Sequence, residues 1–200
     1  MPRTKEQNEL IKQERDHQIL LSALYLFSYK GYGGVTLDEI CEAANCSHGL
    51  IYHYYSSKQN LYDALIDKIV NPMIVKLCSN FNRNQKAKFV MIDILDSYLK
   101  ALKSSNDEYA WAINLILNVR LQSDFNQMLA AKQASNKIYQ FMFDTIERGK
   151  NEGDFNKNRD SREQIISLVA IMKGLSYTRM RTGYRKFICP NVDILMGMLY

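Results

Sequence analysis

Residues 36–58 read TLDEICEAANCSHGLIYHYYSSK and contain two short helical patterns on either side of a tight turn. Thr36 and Glu39 form a capping box at the start of the first pattern. Asn45 tolerates a left-handed backbone and can end that helix, and Ser47 is a good N-cap for the second helix, predicted to run to about residue 54. The first helix has one apolar stripe at the helical spacing i, i+3, i+4, i+7, formed by Leu37, Ile40, Cys41 and Ala44. Two short helices joined in this way are typical of a helix-turn-helix.

The second of these helices has side chains suited to contact DNA. In a helix-turn-helix the second helix enters the major groove, and the first braces it against the DNA backbone. Tyr52 and His53 lie off the apolar stripe and present polar tips, and Gly49 would allow close approach to DNA. Thr36, with free N–H groups at a helix start, and Lys58 are predicted to contact phosphates. The residues expected to face a core are Ile51, Tyr54 and Tyr55.

The chain around this stretch is predicted to be helical. A first helix over residues 8–30 ends at Gly31. A fourth over 57–70 follows a capping box of Ser56 and Gln59, and Pro72 marks a break near its end. Further helices are predicted at 73–81, 85–103, 108–121, 124–149, 161–182 and 191–199, the helix at 161 opening with a Ser161–Gln164 capping box. The predicted fold class is all-α, with a helix-turn-helix domain at 8–70 and a larger helical domain at 71–200.

Composition supports this fold class. The 200 residues are 46% hydrophobic, which is enough for a sizeable core, and they include only nine glycines and three prolines. Residues 19–29 form an uncharged run that is shorter than the ~20 residues of a membrane helix, and the chain opens on polar and charged residues. We therefore expect a soluble, cytoplasmic protein with reduced thiols and no membrane partner.

The four cysteines, at positions 41, 46, 78 and 189, form no Cys-x-x-Cys pair, so no metal site is predicted. No cofactor is predicted either. Cys41 and Cys46 could act as a redox sensor. For Cys41 the stripe position favours simple packing in a core, and for Cys46 both interpretations stay open.

The net charge alone does not indicate a nucleic-acid partner. The net charge is +5, but residues 1–70 hold seven basic and nine acidic side chains. This acidic balance keeps an alternative open, a helical small-molecule carrier or interaction protein whose helix-turn-helix is only structural. An enzyme is disfavoured because the chain has no Gly-x-Ser-x-Gly, no phosphate-binding glycine loop and no His-Glu-x-x-His.

Four segments resemble the N-terminal domain of TetR-family transcriptional regulators: GY at 31–32, VTLDEI at 35–40, AANCSHGLIYHYY at 43–55 and SKQNL at 57–61. The segment IERGKNEGDF at 146–155 is more weakly similar to the C-terminal domain of that family. The resemblance implies an all-helical homodimer that binds a palindromic operator in double-stranded DNA. It also implies a C-terminal ligand-binding and dimerisation domain, and repression that ends when a small-molecule effector of unknown identity binds.

The same resemblance assigns DNA-binding positions. Thr36 and Lys58 match positions that contact phosphates. The recognition-helix positions are matched by Ser47, His48, Gly49, Tyr52 and His53. The chain departs from the family at His48, where lysine is common, and at Leu50, where a hydroxyl is common. Leu50 can touch a thymine methyl group but cannot donate a hydrogen bond to a base.

For the C-terminal domain the sequence supports only broader predictions. A ligand pocket could be lined by Trp111, Phe125, Met128, Phe141 and Met142, although each of these alone is more often plain core. An apolar face on the last two helices predicts a dimer interface, unless it closes the subunit's own core, and comprises Ile165, Leu168, Val169, Met172, Ile194, Leu195, Met198 and Leu199. The helix at 57–70 is predicted to be the only continuous element that links the DNA site to the pocket.

Overall fold

The computed structural model describes residues 4–79, 81–82, 84–118 and 129–200, with side chains described in all of these except 77–79 and 129–134. Within these ranges the chain is helical and has no strand, which confirms the all-α class. The elements are α1 (Lys5–Lys30), α2 (Leu37–Ala43), α3 (His48–Tyr54), α4 (Lys58–Leu65), a π-helical segment (Ile66–Val70), α5 (Asn71–Ser79), α6 (Ala87–Lys103), α7 (Asp107–Asn118), α8 (Leu129–Glu152), α9 (Ser161–Thr182) and α10 (Val192–Met196).

Local capping signals set the helix ends in the N-terminal third. The Thr36–Glu39 capping box begins α2, and the Ser47 side chain accepts from the Leu50 N–H at the start of α3. Gly31 ends α1 with a φ of 73°, which lies in the region that favours glycine. These boundaries were predicted. The start of α1 was not, because a second capping box between Thr4 and Gln7 begins the helix three residues before the predicted start.

Two predicted capping boxes are wrong. Ser57, and not Ser56, caps α4 by accepting from the Asn60 N–H at 3.1 Å. At the start of α9 the Asp160 carboxylate is the cap, accepting from the N–H groups of residues 162 and 163. Ser161 instead binds the Glu147 carboxylate, and Gln164 donates to the carbonyl of Leu199. In both places neighbouring residues could serve as caps, and contacts within the fold select one of them.

The predicted fourth helix is also divided. Regular α-helix ends at Leu65, the chain widens into a π-helical segment over Ile66–Val70, and α5 then continues the helix. Pro72 is the second residue of α5. Proline cannot donate a backbone hydrogen bond and its ring crowds the preceding turn. The π-helical segment lies in that preceding turn, so the helix continues past Pro72 instead of breaking there.

Two hydrophobic cores organise the chain, and both receive residues from α7. The N-terminal core is built by α1 to α4, the π-helical segment and one side of α7, which contributes Ala112, Leu115 and Ile116. The C-terminal core is built by α6, α8, α9 and α10 together with Ala110 of α7. Helix α7 therefore lies between the two cores. In the sequence it belongs to the predicted C-terminal domain, which begins after residue 70.

The predicted dimer face is wrong for most of its residues. Five of them are buried in the C-terminal core of their own chain and cannot contact a partner: Ile165, Leu168, Met172, Leu195 and Leu199. Val169 and Met198 are partly buried. The exposed side of α9 carries a different set at helical spacing, in which Ile166 is 62% exposed and Tyr177 is 61% exposed. Ala170 and Gly174 lie between them on that side.

Candidate DNA-binding surface and ligand cavity

The turn between α2 and α3 is a complete Schellman motif. The Cys46 N–H donates to the carbonyl of Cys41 at 2.9 Å, and the Asn45 N–H donates to the carbonyl of Glu42 at 3.1 Å. Asn45 has the left-handed φ of 48° that this motif requires at its position and that the sequence predicted. With Ile40 and Ile51 fully buried on either side of it, the turn fixes how α3 is presented.

Helix α3 has one buried and one exposed face. Ile51 and Tyr55 are buried in the N-terminal core, whereas Tyr52 is 56% exposed and His48 and His53 are exposed. These are the orientations that the apolar stripe predicted. Tyr54 is intermediate because its ring lies against His53, while its hydroxyl donates to the carbonyl of Lys12 at 3.3 Å. Leu50 is partly buried.

Gly49 lies on the exposed face, and the fold itself does not require glycine there. A Cβ built at this position meets only the Ser47 hydroxyl, at 4.0 Å. Ordinary van der Waals contact begins near that distance, so an added methyl group would fit. The space in front of Gly49 is open to a molecule that approaches α3 closely.

At the start of α2, fewer backbone N–H groups are available to a phosphate than the sequence predicted. The Thr36 N–H donates to the Glu39 carboxylate at 2.8 Å, so that N–H is not free for a phosphate. Glu39 also accepts from Lys30 at 2.5 Å. The Lys30 hydrogen bond, followed by the Thr36 N–H, lowers the pKa of Glu39 to about 2. A phosphate at this helix start would have to be bound by the next N–H groups of α2.

Two basic side chains near α3, Lys58 and His48, contact neighbouring side chains. The Lys58 ammonium lies 4.3 Å from the centre of the Tyr32 ring, and the Tyr32 hydroxyl donates to Gln59. His48 lies 3.3 Å from the Asp38 carboxylate, which links the start of α3 to α2. Cation–π contact positions an ammonium group without neutralising it. The Lys58 ammonium is therefore positioned at the start of α4 by the Tyr32 ring.

An ionic cluster that the sequence analysis missed joins α1 to the end of α3. The Asp16 carboxylate accepts from the Tyr55 hydroxyl and, at 2.7 Å, from the Lys68 ammonium of the π-helical segment. Burial, followed by the hydrogen bond to Asp16, raises the pKa of Tyr55. Sequence pattern offered no signal for this cluster, because the partners are 39 and 52 residues apart.

An apolar cavity lies on the C-terminal side of α7. Its empty volume is about 680 Å³ including its mouth. The residues that line it come from α5 to α9 and the segment before α6, namely Met73, Ile74, Phe81, Ile94, Ser97, Tyr98, Tyr109, Ala112, Ile113, Ile116, Leu117, Ile138, Met142 and Met172. The Tyr98 hydroxyl is already committed, since it donates to the Met172 carbonyl at 2.6 Å. The cavity thus offers hydrocarbon surface and few polar groups.

The predicted pocket residues are only partly brought together. Met142 lines the cavity, and Phe141 stacks on Phe81, which lines it, with ring centres 6.1 Å apart. Trp111 does not line it, which corrects the prediction. Its ring packs against Tyr25 of α1 at 5.2 Å, on the opposite side of α7. Phe125 and Met128 lie outside the described residues.

Buried polar bonds fix α7 to its neighbours. The Asn114 amide donates to the Ser28 carbonyl of α1 at 2.7 Å, and both residues are buried. Arg179 of α9 is 2% exposed and donates to the carbonyls of Leu102 and Ser104 and to the Asp107 carboxylate at the start of α7. Helix α7 therefore contacts α1 on one face and the cavity on the other. The predicted fourth helix is not the only link between the two regions.

In the part of the chain that the structure describes, neither a membrane-spanning helix nor a metal-binding cluster is present. No helix there is both long enough and apolar enough to cross a membrane. Nor do three or more histidine, cysteine, aspartate or glutamate side chains gather there into a cluster able to hold a metal ion.

Comparisons with known proteins agree with this architecture. Residues 19–65 match the family model of bacterial regulatory proteins of the tetR family. IcaR of Staphylococcus epidermidis, the negative transcriptional regulator of the biofilm operon icaADBC, is 31% identical over 91 residues, which are 42% of this chain and 49% of IcaR. FasR of Mycolicibacterium smegmatis, a transcriptional activator, is 34% identical over 67 residues, which are 34% of this chain and 31% of FasR. The chain thus spans half or less of the length of these two relatives.

Solved structures share the fold over nearly the whole chain. FadR of Bacillus subtilis, solved in complex with stearoyl-CoA, superposes with a TM-score of 0.64 over 91% of this chain and 94% of its own, at 16% identity. At such low identity the likeness establishes the fold. Residues 19–65 are thus similar to bacterial regulatory proteins of the tetR family, and the helical fold of FadR is shared over nearly the whole chain.

Proposed function

We propose that this protein is a transcriptional regulator that binds operator DNA through α2 and α3 and acts as a repressor released by an apolar effector. The observation that carries the proposal is the exposed face of α3, whose outer side chains are free of the core that holds its inner face. Members of the TetR family are DNA-binding regulators and not enzymes. We favour repression because the match to the negative regulator IcaR is longer than the match to the activator FasR.

The DNA contacts follow from exposure and side-chain chemistry. Tyr52 and His53 are exposed on α3 and are proposed to contact base edges, with Ser47, His48 and Leu50 beside them. Gly49 lets the helix approach the groove closely. Lys58, placed over the Tyr32 ring, and the start of α2 at Thr36 are proposed to contact phosphates.

The effector is proposed to be a molecule with a long apolar part. The cavity opens to the surface through a mouth, and its lining is almost wholly hydrocarbon. The residues that line it include no charged side chain, so a charged head group would remain at the mouth. B. subtilis FadR, which shares the fold, was solved with stearoyl-CoA, and this supports an acyl chain as the first candidate.

Assembly is proposed to use the exposed side of α9. Ile166, Ala170, Gly174 and Tyr177 form a stripe of large and small side chains along that helix, and a Cβ at Gly174 would meet nothing within 4 Å. Two copies packed about a two-fold axis would bury this stripe and present two α3 helices to a palindromic operator. Binding in adjacent major grooves requires them to be about 34–36 Å apart.

Release is proposed to pass through α7. The cavity is lined by Ile113 and Leu117 on one face of this helix, and Asn114 on another face bonds to α1. A ligand that displaces α7 would move α1 and, with it, the recognition helices. A coupling of about 1–3 kcal/mol would release the operator 5- to 150-fold. The functional division is proposed at residues 8–70 for DNA binding and 71–200 for ligand binding and dimerisation, in a cytoplasmic protein.

The decisive experiment selects bound fragments from the source genome and titrates the tightest one by fluorescence anisotropy at several salt concentrations. We expect sequence-specific binding that weakens steeply with salt, and Lys58→Ala should reduce the salt slope by about one. Binding no tighter than to random DNA would favour the alternative, a helical carrier or interaction protein with a structural helix-turn-helix.

The dimer is tested separately by sedimentation. Ile166→Glu combined with Tyr177→Glu should convert a dimer to a folded monomer, because both side chains are exposed in the single chain. Ile188→Glu is the matched control, since Ile188 is 91% exposed and lies outside α9. A double variant that remains dimeric would refute this interface.

A further inference from the structure

Two cysteines occupy the first and last positions of the turn in the helix-turn-helix. In a Schellman motif the side chains of the first and last residues of the turn come into contact, and here both are cysteines. Cys41 is the residue whose carbonyl accepts, and Cys46 the residue whose N–H donates. Cys46 packs against the N-terminal core to which Cys41 belongs. The pair is therefore brought together by backbone geometry that belongs to the turn itself.

The two sulfurs differ in accessibility. Cys41 is 4% exposed and belongs to the N-terminal core, whereas Cys46 is only partly buried. Cys189 has a different environment, since it is partly buried and donates weakly to the carbonyl of Leu99, at 3.8 Å. An accessible thiol with a second thiol beside it is the arrangement of a redox-sensing pair, in which one sulfur reacts and the other resolves.

We propose that Cys41 and Cys46 form a reversible thiol–disulfide site that a peroxide oxidises, and that the disulfide weakens operator binding. The existence of the disulfide does not depend on the proposed function, but its effect on DNA binding rests on it. In a reducing compartment the pair would stay as thiols, and cytosolic disulfides that do form are usually transient and sensory.

The reaction balances with the peroxide as oxidant. The Cys46 sulfur attacks one oxygen of hydrogen peroxide, the O–O bond breaks, and water leaves as Cys46 becomes a sulfenic acid. The Cys41 sulfur then attacks the Cys46 sulfur, the S–O bond breaks, and a second water carries away the remaining oxygen and the thiol proton. One peroxide thus takes up two electrons. Burial, followed by the nearby Cys46 and Asp38, raises the pKa of the Cys41 thiol, which disfavours its direct oxidation by the peroxide.

The disulfide would change the turn that presents α3. A bond of about 2.05 Å is far shorter than a contact between two thiols, so oxidation draws Cys46 toward the core. The next residue is Ser47, whose side chain caps α3 by accepting from the Leu50 N–H. Movement of this cap tilts the exposed face of the recognition helix. The competing interpretation is that two small apolar side chains merely fill the contact of the motif.

Mass spectrometry tests the chemistry directly. The tryptic peptide 31–58 contains Cys41 and Cys46 and no other cysteine. The folded full-length protein is treated with hydrogen peroxide, quenched with catalase, alkylated in denaturant and digested. We expect this peptide to carry no alkyl group and to have a mass lower by two hydrogen atoms than its reduced, unalkylated form. Dithiothreitol should restore both thiols. A peptide alkylated twice, or one carrying only added oxygens, would overturn the proposal.

Variants and DNA binding complete the test. Cys189→Ser should behave as the unchanged protein, whereas Cys46→Ala should lose the linked peptide while retaining its helical circular dichroism. In anisotropy titrations, oxidation should weaken binding of the selected operator fragment about tenfold, and Cys46→Ala should be insensitive to peroxide. A disulfide that forms without changing affinity would overturn the regulatory half. If the reduced protein binds no fragment, the proposed function fails while the mass result still decides the disulfide.

Discussion

The two hydrophobic cores differ in how completely they are filled. In the N-terminal core the rings of Phe27, Tyr32 and Tyr62 interlock, with centres 5.0 to 5.8 Å apart. The C-terminal region instead leaves an apolar cavity behind α7, which opens to the surface. Because protein interiors are normally close-packed, such a void forfeits contacts that a ligand can restore. The region that presents α3 is thus built for fixed geometry, and the region behind α7 has room for an occupant.

The largest expected effect comes from breaking the filled core. Ile51 is fully buried on the inner face of α3, so Ile51→Ala should lower the free energy of unfolding by about 2–5 kcal/mol, measured by urea titration. Tyr52→Ala, one residue away on the exposed face, is the matched control. It should change stability by less than about 0.5 kcal/mol yet weaken operator binding by about 1–3 kcal/mol. Equal stability losses in the two variants would contradict the two-faced description of α3.

A pair of identical substitutions compares the interior of the filled N-terminal core with the wall of the cavity. Ala23 is fully buried in the N-terminal core, and Ala112 is buried at the wall of the cavity. Ala23→Leu should destabilise by about 1–3 kcal/mol, because a filled core resists added volume. Ala112→Leu can place its extra carbons in the void, so the loss should be below about 1 kcal/mol. Urea titrations that rank the two variants in the opposite order would show that the cavity does not accept added volume.

The contact between α7 and α1 can be weakened by removing one buried hydrogen bond. Asn114→Leu keeps similar volume but leaves the Ser28 carbonyl without the buried amide donor, at a cost of about 1–3 kcal/mol. With stearoyl-CoA as the probe, we expect a smaller ligand-induced loss of operator affinity than in the unchanged protein. Tyr29→Phe removes a bond from α1 to α9 instead, and should leave that loss unchanged. If both variants respond as the unchanged protein does, α7 does not transmit the signal through Asn114.

The smallest effect concerns the capping box of α2. The lowered pKa of Glu39, about 2, means that its carboxylate stabilises the folded state at pH values above the unfolded pKa of about 4.5. That contribution is lost as the pH falls toward 2. The difference in unfolding free energy between the unchanged protein and Glu39→Gln should therefore narrow as the pH drops below about 5. Lys30→Met should reproduce most of this, since Lys30 donates the main hydrogen bond. A difference that is constant with pH would contradict this ion pair.

The N-terminal third was predictable because its signals are local. The Thr36–Glu39 capping box, the left-handed Asn45 and the Ser47 cap each act within a few residues, so the chain itself specifies α2, the turn and the start of α3. A four-residue spacing also placed Ile51 and Tyr55 inside and Tyr52 outside. The Asp16 cluster could not be predicted, because its three residues meet only after α1, α3 and the π-helical segment have packed.

The sequence by itself determined that the chain is helical, where the helix-turn-helix lies and which side of α3 faces outward, since capping and periodicity depend on near neighbours. Only the tertiary structure decided which apolar face of α9 is buried. Ile165 and Leu168 fill the chain's own core while Ile166 and Tyr177 stay exposed, and a periodic pattern cannot tell an internal face from one left for a partner. The same holds for α7, where Trp111 faces α1 and Ile113 lines the cavity. Which apolar side chains surround a void depends on how distant helices pack against one another, and that information lies in no single stretch of residues.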